Sequence, residues 1–241
     1  AGVVDPGPAP LPFEPELMRA AGMSCDFVGH PVVAEPVATE AERGALAGGG
    51  PLILALPGSR RGEVTRLAPV IGAVLAQIKA VHPQARVVLP TVRGVADLVA
   101  DLSKNWPITP MIIQDKAQKR AAFGVADVAI AASGTVSLEL AANGCPMVIA
   151  YDMHPLTLWL MRRAALIDTV TLVNLVSETR VVPEFIGERC RADLIAPAVL
   201  GLLADSGAQD SAMAKTMQLL GQGGEAPGLR AAKSVLDFIK A

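Results

Sequence analysis
From Leu52 onward the chain alternates short, uninterrupted apolar runs with longer segments of helical period, and few architectures accept that pattern. Leu52 to Leu56 is apolar at every position, which predicts a strand buried on both faces. Val64 to Val81 follows with helical spacing. The alternation then repeats. Val87–Leu89, Met111–Ile113, Val128–Ala132 and Met147–Tyr151 read as strands. Val95–Leu102, Gln118–Val125, Gly134–Ala142 and Leu156–Leu166 read as helices. Strands that alternate with helices build βαβ units, so the expected fold is α/β, a Rossmann-like parallel sheet with helices on both faces. Three further helices, Ala192–Leu203, Ser211–Leu220 and Leu229–Ile239, form a helical C-terminal tail.

The beginning of the chain is different. Pro6, Pro8, Pro10 and Pro12 impose an extended backbone. Phe13 to Ala21 reads as a short helix and Cys25 to Val28 as a short strand. Val33 to Gly50 reads as a surface connector that closes on three glycines. The expected division is therefore residues 1–50, 51–190 and 191–241. The first is a remnant of a preceding domain with its linker, the second a Rossmann-like domain, the third the helical tail.

Composition narrows the function. Hydrophobic residues are 51% of the 241, ample for a core, while aromatics are only 3%. A net charge of -2 argues against nucleic-acid binding, which needs a basic surface, and so does the shortage of aromatic platforms. Cys25, Cys145 and Cys190 are far apart and show no metal-ligand spacing, so no metal is expected and a reducing compartment fits. No apolar stretch reaches the ~20 residues of a membrane span. Ala1 to Pro12 lacks the pattern of a signal peptide. A Walker Gly-Lys-Ser/Thr and a GxGxxG opening are both missing, against a P-loop NTPase and a dehydrogenase.

In open parallel sheets ligands bind at the carboxyl ends of the strands, and two strand-to-helix turns stand out there. In the first, Leu56-Pro57-Gly58-Ser59-Arg60-Arg61-Gly62-Glu63, small residues let backbone approach a ligand. The arginines offer forked donors to phosphate oxygens, and a helix N-terminus follows. A tight turn with two solvated arginines explains the same residues. In the second, a buried strand runs into Ser133-Gly134-Thr135, which opens a helix. Glu139 lies four residues after Thr135 on the same face. Amides and hydroxyls there suit a phosphate, and the carboxylate suits a ribose diol. An N-cap serine beside one exposed glutamate is the plainer account, but the helix around Glu139 is otherwise apolar, which favours a site. His30, before Pro31, could act at a domain junction or be structural. Asn174, in the strand-like run Leu172–Val176, must be hydrogen-bonded to backbone or to ligand. Leu156 to Ile167, with Trp159, Arg162 and Arg163, could touch an anionic membrane surface or pack on the sheet.

Taken in order, several segments resemble the lipid-A-disaccharide synthase family. They are Leu11-Pro12-Phe13-Glu14, Phe27-Val28-Gly29-His30-Pro31, Leu56–Arg60 with Glu63, Ala132–Thr135 with Leu138-Glu139, and Pro146-Met147-Val148 with Tyr151. Asn174-Leu175 and Val182-Pro183-Glu184-Phe185 continue the likeness, which runs from about Leu11 to about Leu203. The resemblance implies the GT-B fold, with this chain supplying its C-terminal, donor-binding part. It implies transfer of an acylated glucosamine from UDP-2,3-diacylglucosamine to 2,3-diacylglucosamine 1-phosphate, with inversion to a β-1,6 link and no cofactor. By that likeness Gly58, Ser59, Arg60 and Glu63 serve the diphosphate, with Ser133, Gly134 and Thr135. Glu139 takes the ribose, and Asn174 and His30 lie near the substrate. It also implies a cytoplasmic protein peripheral on the inner face of the cytoplasmic membrane, with a homodimer as the family's habit. Other UDP-N-acetylglucosamine enzymes of the same fold, a 2-epimerase or a MurG-like transferase, and a non-catalytic UDP-binding fragment are the alternatives.

Three departures stand out. Ile186-Gly187 replaces the family's Leu-Gln, and Asp152 replaces a basic residue after Tyr151. The family's Gly-Glu-Ala-Ser-Gly-Asp-like segment and its presumed carboxylate base are not in this sequence. The chain is therefore expected to be a fragment that binds donor without turning over.

Overall fold
A computed structural model describes residues 7–44, 46, 48–152 and 168–240. At its centre is a six-stranded sheet. In chain order its strands are β3 (Leu52–Leu56), β4 (Arg86–Pro90), β5 (Met111–Ile113), β6 (Val128–Ala131), β7 (Met147–Tyr151) and β8 (Glu184–Ile186). Their spatial order is β5-β4-β3-β6-β7-β8, and every neighbouring pair is parallel. β3 is buried at all five positions. Ile53 and Ala55 join one apolar core, whereas Leu52, Leu54 and Leu56 join the other. Alternate side chains point to opposite faces, so one short run serves both cores.

Helices cover both faces. On the first lie α3 (Arg61–Val81), α4 (Ala96–Ser103) and α8 (Ala192–Ala204). On the second lie α5 (Lys116–Val125), α6 (Val136–Ala142), α7 (Leu172–Ser177) and α9 (Gly207–Leu219). By length and mean hydropathy alone α3 is long and apolar enough to cross a membrane, although Arg61, Glu63, Arg66 and Lys79 interrupt it. It packs here on the sheet instead, with Val64, Leu67, Ile71, Val74, Leu75 and Ile78 buried.

The N-terminal part is a small parallel pair, β1 (Gly7–Ala9) and β2 (Cys25–Phe27), joined by α1 (Glu14–Ala20). The last helix, α10 (Pro227–Lys240), returns to it: Arg230 Nη2 donates to the Phe27 carbonyl at 2.7 Å, and Ser234 bonds Asp26 at 2.8 Å.

Two expectations need correction. The connector after Val33 does not simply cross the surface. It contains a short helix, α2 (Glu40–Gly44), whose Glu42 pairs with Arg120 of α5. Ala38 is buried, so close to Gly124 that a Cβ added there would lie 2.4 Å from it. The run around Asn174 is helical, not a strand. Long-range partners decide this. Glu184, on β8, accepts the Val170 and Thr171 N–H groups, and the Asn174 amide pairs with the Val182 backbone. The helix expected over Leu156–Leu166, with Trp159, Arg162 and Arg163, lies outside the described residues.

Candidate donor-binding site
The chain runs outward from β3 through β4 to β5, then returns past β3 to β6 and continues the other way. β3 and β6 therefore flank the point where strand order reverses. The helices that follow them leave to opposite faces, α3 into one core and α6 into the other. That divergence opens a crevice above the carboxyl ends of the two strands. A cavity of about 460 Å³ occupies it. Its walls are Leu56 and Gly58–Arg60 with Glu63 after β3, Pro90–Val92 after β4, and Ala132–Val136 with Glu139 after β6. Lys119 of α5 completes it.

The first loop is held by its own chain. Gly58 has φ +106, and a Cβ there would lie 2.5 Å from Glu63 Oε2, so conformation and space both demand glycine. That oxygen accepts the N–H groups of Ser59 at 3.2 Å and Arg60 at 3.3 Å. Glu63 Oε1 accepts from Arg60 Nη1 at 3.0 Å. Glu63 thus caps α3 and tethers the Arg60 guanidinium, whose side chain stays 82% exposed and free to turn toward an anion.

The second loop turns at Gly134, with φ +142 and open space where a side chain would stand. Thr135 is the N-cap of α6, yet no side-chain hydrogen bond caps that helix. Ser137 bonds back to the Gly134 carbonyl at 3.0 Å, which fixes the turn from behind. Glu139 is half-buried and takes Lys119 Nζ at 2.5 Å on Oε2.

Eight residues singled out in the sequence thus share one cavity: Gly58, Ser59, Arg60, Glu63, Ser133, Gly134, Thr135 and Glu139. His30 and Asn174 do not line it. His30 Nδ1 accepts the Val32 N–H at 3.1 Å and caps the short turn Pro31–Ala34. Burial lowers its pKa. Asn174 is 1% exposed, and its amide both donates to and accepts from the Val182 backbone. Gly187, the residue in place of the family's glutamine, sits at φ +60. Sequence reasoning missed Lys119 and Thr91. Thr91 Oγ1 is buried without a partner on the cavity wall, and Lys119 stands in an ordinary polar helix start. Neither carries a local signal, because strand order alone brings them to the crevice. Among the described residues no cluster could hold a metal ion.

A parallel sheet reversed at its centre, with two loops converging on one crevice beside a carboxylate, is a Rossmann-like domain of the GT-B kind. Solved structures share this fold. The UDP-GlcNAc 2-epimerase from Neisseria meningitidis, bound to UDP-GlcNAc, superposes with a TM-score of 0.61 at 15% identity, covering 97% of this chain and 61% of that one. The calicheamicin glycosyltransferase CalG4 gives 0.57 at 20% identity, over 90% of this chain and 47% of that one. Sequence comparison is more specific. The profile of the lipid-A-disaccharide synthetase family matches residues 3–235. The lipid-A-disaccharide synthase of Ruegeria pomeroyi is 56% identical, covering 98% of this chain and 62% of the relative. That of Rhodospirillum centenum is 41% identical, covering 95% and 59%. The chain belongs to the lipid-A-disaccharide synthase family, and spans about three-fifths of the length of these relatives.

Proposed function
We propose that this chain is the donor-binding part of a lipid-A-disaccharide synthase. It would hold UDP-2,3-diacylglucosamine while the sugar passes to 2,3-diacylglucosamine 1-phosphate, with inversion to a β-1,6 link. One observation carries the reading: the two loops and Glu139 line a single cavity at the strand-order reversal. Arg60, Ser59, Ser133 and Thr135 donate to the diphosphate, and Glu139 accepts the ribose hydroxyls. Charge that develops on departing UDP is met by fixed donors, which lower the barrier by electrostatic complementarity. The base that takes the acceptor proton is assigned to residues outside this sequence, so the chain alone binds donor without transfer. The same reading implies work at the cytoplasmic face of the inner membrane, where acylated sugars reside, and a homodimer.

Calorimetry with UDP tests it. Arg60→Ala and Glu139→Gln are each expected to weaken UDP binding at least tenfold, the cost of a lost charge-assisted hydrogen bond. Unchanged affinity in both would overturn the assignment. In a radiolabelled transfer assay the 241-residue chain is expected to show no multiple turnover.

A further inference from the structure
Lys119 has no role in the family pattern described above, yet it lines the cavity in contact with Glu139. Its backbone N–H bonds the Asp115 carbonyl at 2.9 Å, within a helix whose N-cap is Asp115. Its ammonium lies 5.0 Å from the centroid of the Phe123 ring, one turn on, and Phe123 is buried. A cation held over an aromatic face keeps its stem extended along one course. That course ends 2.5 Å from Glu139 Oε2. The pair also forms the wall between the donor cavity and a second one of about 400 Å³ under Glu35–Val37, since both residues line both.

Charge and geometry then agree. The donor cavity has two acids, Glu63 and Glu139, and two cations, Arg60 and Lys119. Arg60 pairs with Glu63, and Lys119 is the cation in contact with Glu139. Without it a bare carboxylate would face an incoming diphosphate. A carboxylate offers about four acceptor sites, so one bond to Lys119 leaves enough for two hydroxyls. We infer that Lys119 is a positioning residue for ribose recognition: it fixes the Glu139 carboxylate so that both oxygens meet the 2′- and 3′-hydroxyls of a nucleoside diphosphate. This rests on the donor-site reading above.

The test measures UDP and 2′-deoxy-UDP affinity by calorimetry on the whole chain and three variants, Lys119→Met, Lys119→Arg and Glu139→Gln. The unsubstituted chain is expected to prefer UDP by about tenfold, the worth of one hydrogen bond to a charged group. Lys119→Met keeps an apolar stem on Phe123. It is expected to reduce that preference to about twofold, as Glu139→Gln does, because the carboxylate loses its fixed orientation. Lys119→Arg restores the preference. If Lys119→Met weakens both nucleotides equally and the preference survives, the lysine acts only as charge and the inference is overturned. Stronger UDP binding by Lys119→Met overturns it too, since the lysine would then be a competitor for the carboxylate. Failure of the donor-site reading looks different: the unsubstituted chain then binds neither nucleotide, or Glu139→Gln leaves the preference intact.

Discussion

At the scale of single residues, the two cavity glycines have different reasons to be glycine. Gly58 needs both a left-handed φ and empty space beside Glu63, whereas Gly134 needs only the φ. Gly58→Ala is therefore expected to cost about 2 kcal/mol or more, against about 1 kcal/mol for Gly134→Ala, in denaturant titrations. A larger loss at Gly134 would contradict the geometry. Asn174 gives the matching case in the core. Its replacement by Ala leaves the Val182 N–H and C=O without their buried partner, and about 2–4 kcal/mol of stability should disappear. The cysteines are inert for a related reason. Burial pushes the Cys190 thiol up to about 11 and raises Cys145 as well, so neither forms a thiolate near neutral pH.

At the scale of elements, an ion pair helps to fasten the connector. Glu42 of α2 meets Arg120 of α5, and that guanidinium, with the Thr39 N–H, pulls the carboxyl from its ordinary 4.5 down to about 2. A depressed acid stabilises the fold above its unfolded pKa, and the contribution is lost as pH falls through the folded value. Thermal unfolding of the native chain and of Glu42→Gln should thus differ at neutral pH. The two should converge between about pH 4.5 and 2. A difference that persists at pH 2 would place the stabilisation elsewhere. Elements of regular period were legible in sequence. Met111–Ile113 and Met147–Tyr151 are strands at the expected bounds. α7 was not, because its apolar run is too short to separate period two from period 3.6. The carboxylate that holds the backbone just before it arrives from Glu184 on another element.

Across the whole molecule, the first and last segments depend on each other. Gly29, at φ +87, lets the chain pass so close to α9 that a Cβ there would lie 3.0 Å from the Leu220 carbonyl, and the same carbonyl accepts the His30 N–H. Arg230 of α10 then binds the Phe27 carbonyl and covers the Phe27 ring at 5.2 Å. The Phe27–Pro31 motif is in this light a joint between the ends of the chain. Arg230→Ala should free the first thirty or so residues to limited proteolysis before the central sheet is cut, at a cost of about 1–2 kcal/mol. Simultaneous digestion of both parts would show that the joint carries no separate stability.

The sequence by itself determined the alternating elements, the parallel sheet and the two glycine-bearing turns. These follow from local periodicity and from backbone conformations that only certain residues adopt. Eight residues of the cavity wall were legible for the same reason, since each lies in one of those turns or in the first turns of the helix it opens. The tertiary structure alone decided that those turns face each other, because that depends on where strand order reverses. It also brought Lys119 to Glu139 across twenty residues and turned His30 and Asn174 to other partners. Such pairings arise from the packing of elements distant in sequence, and no local pattern encodes them.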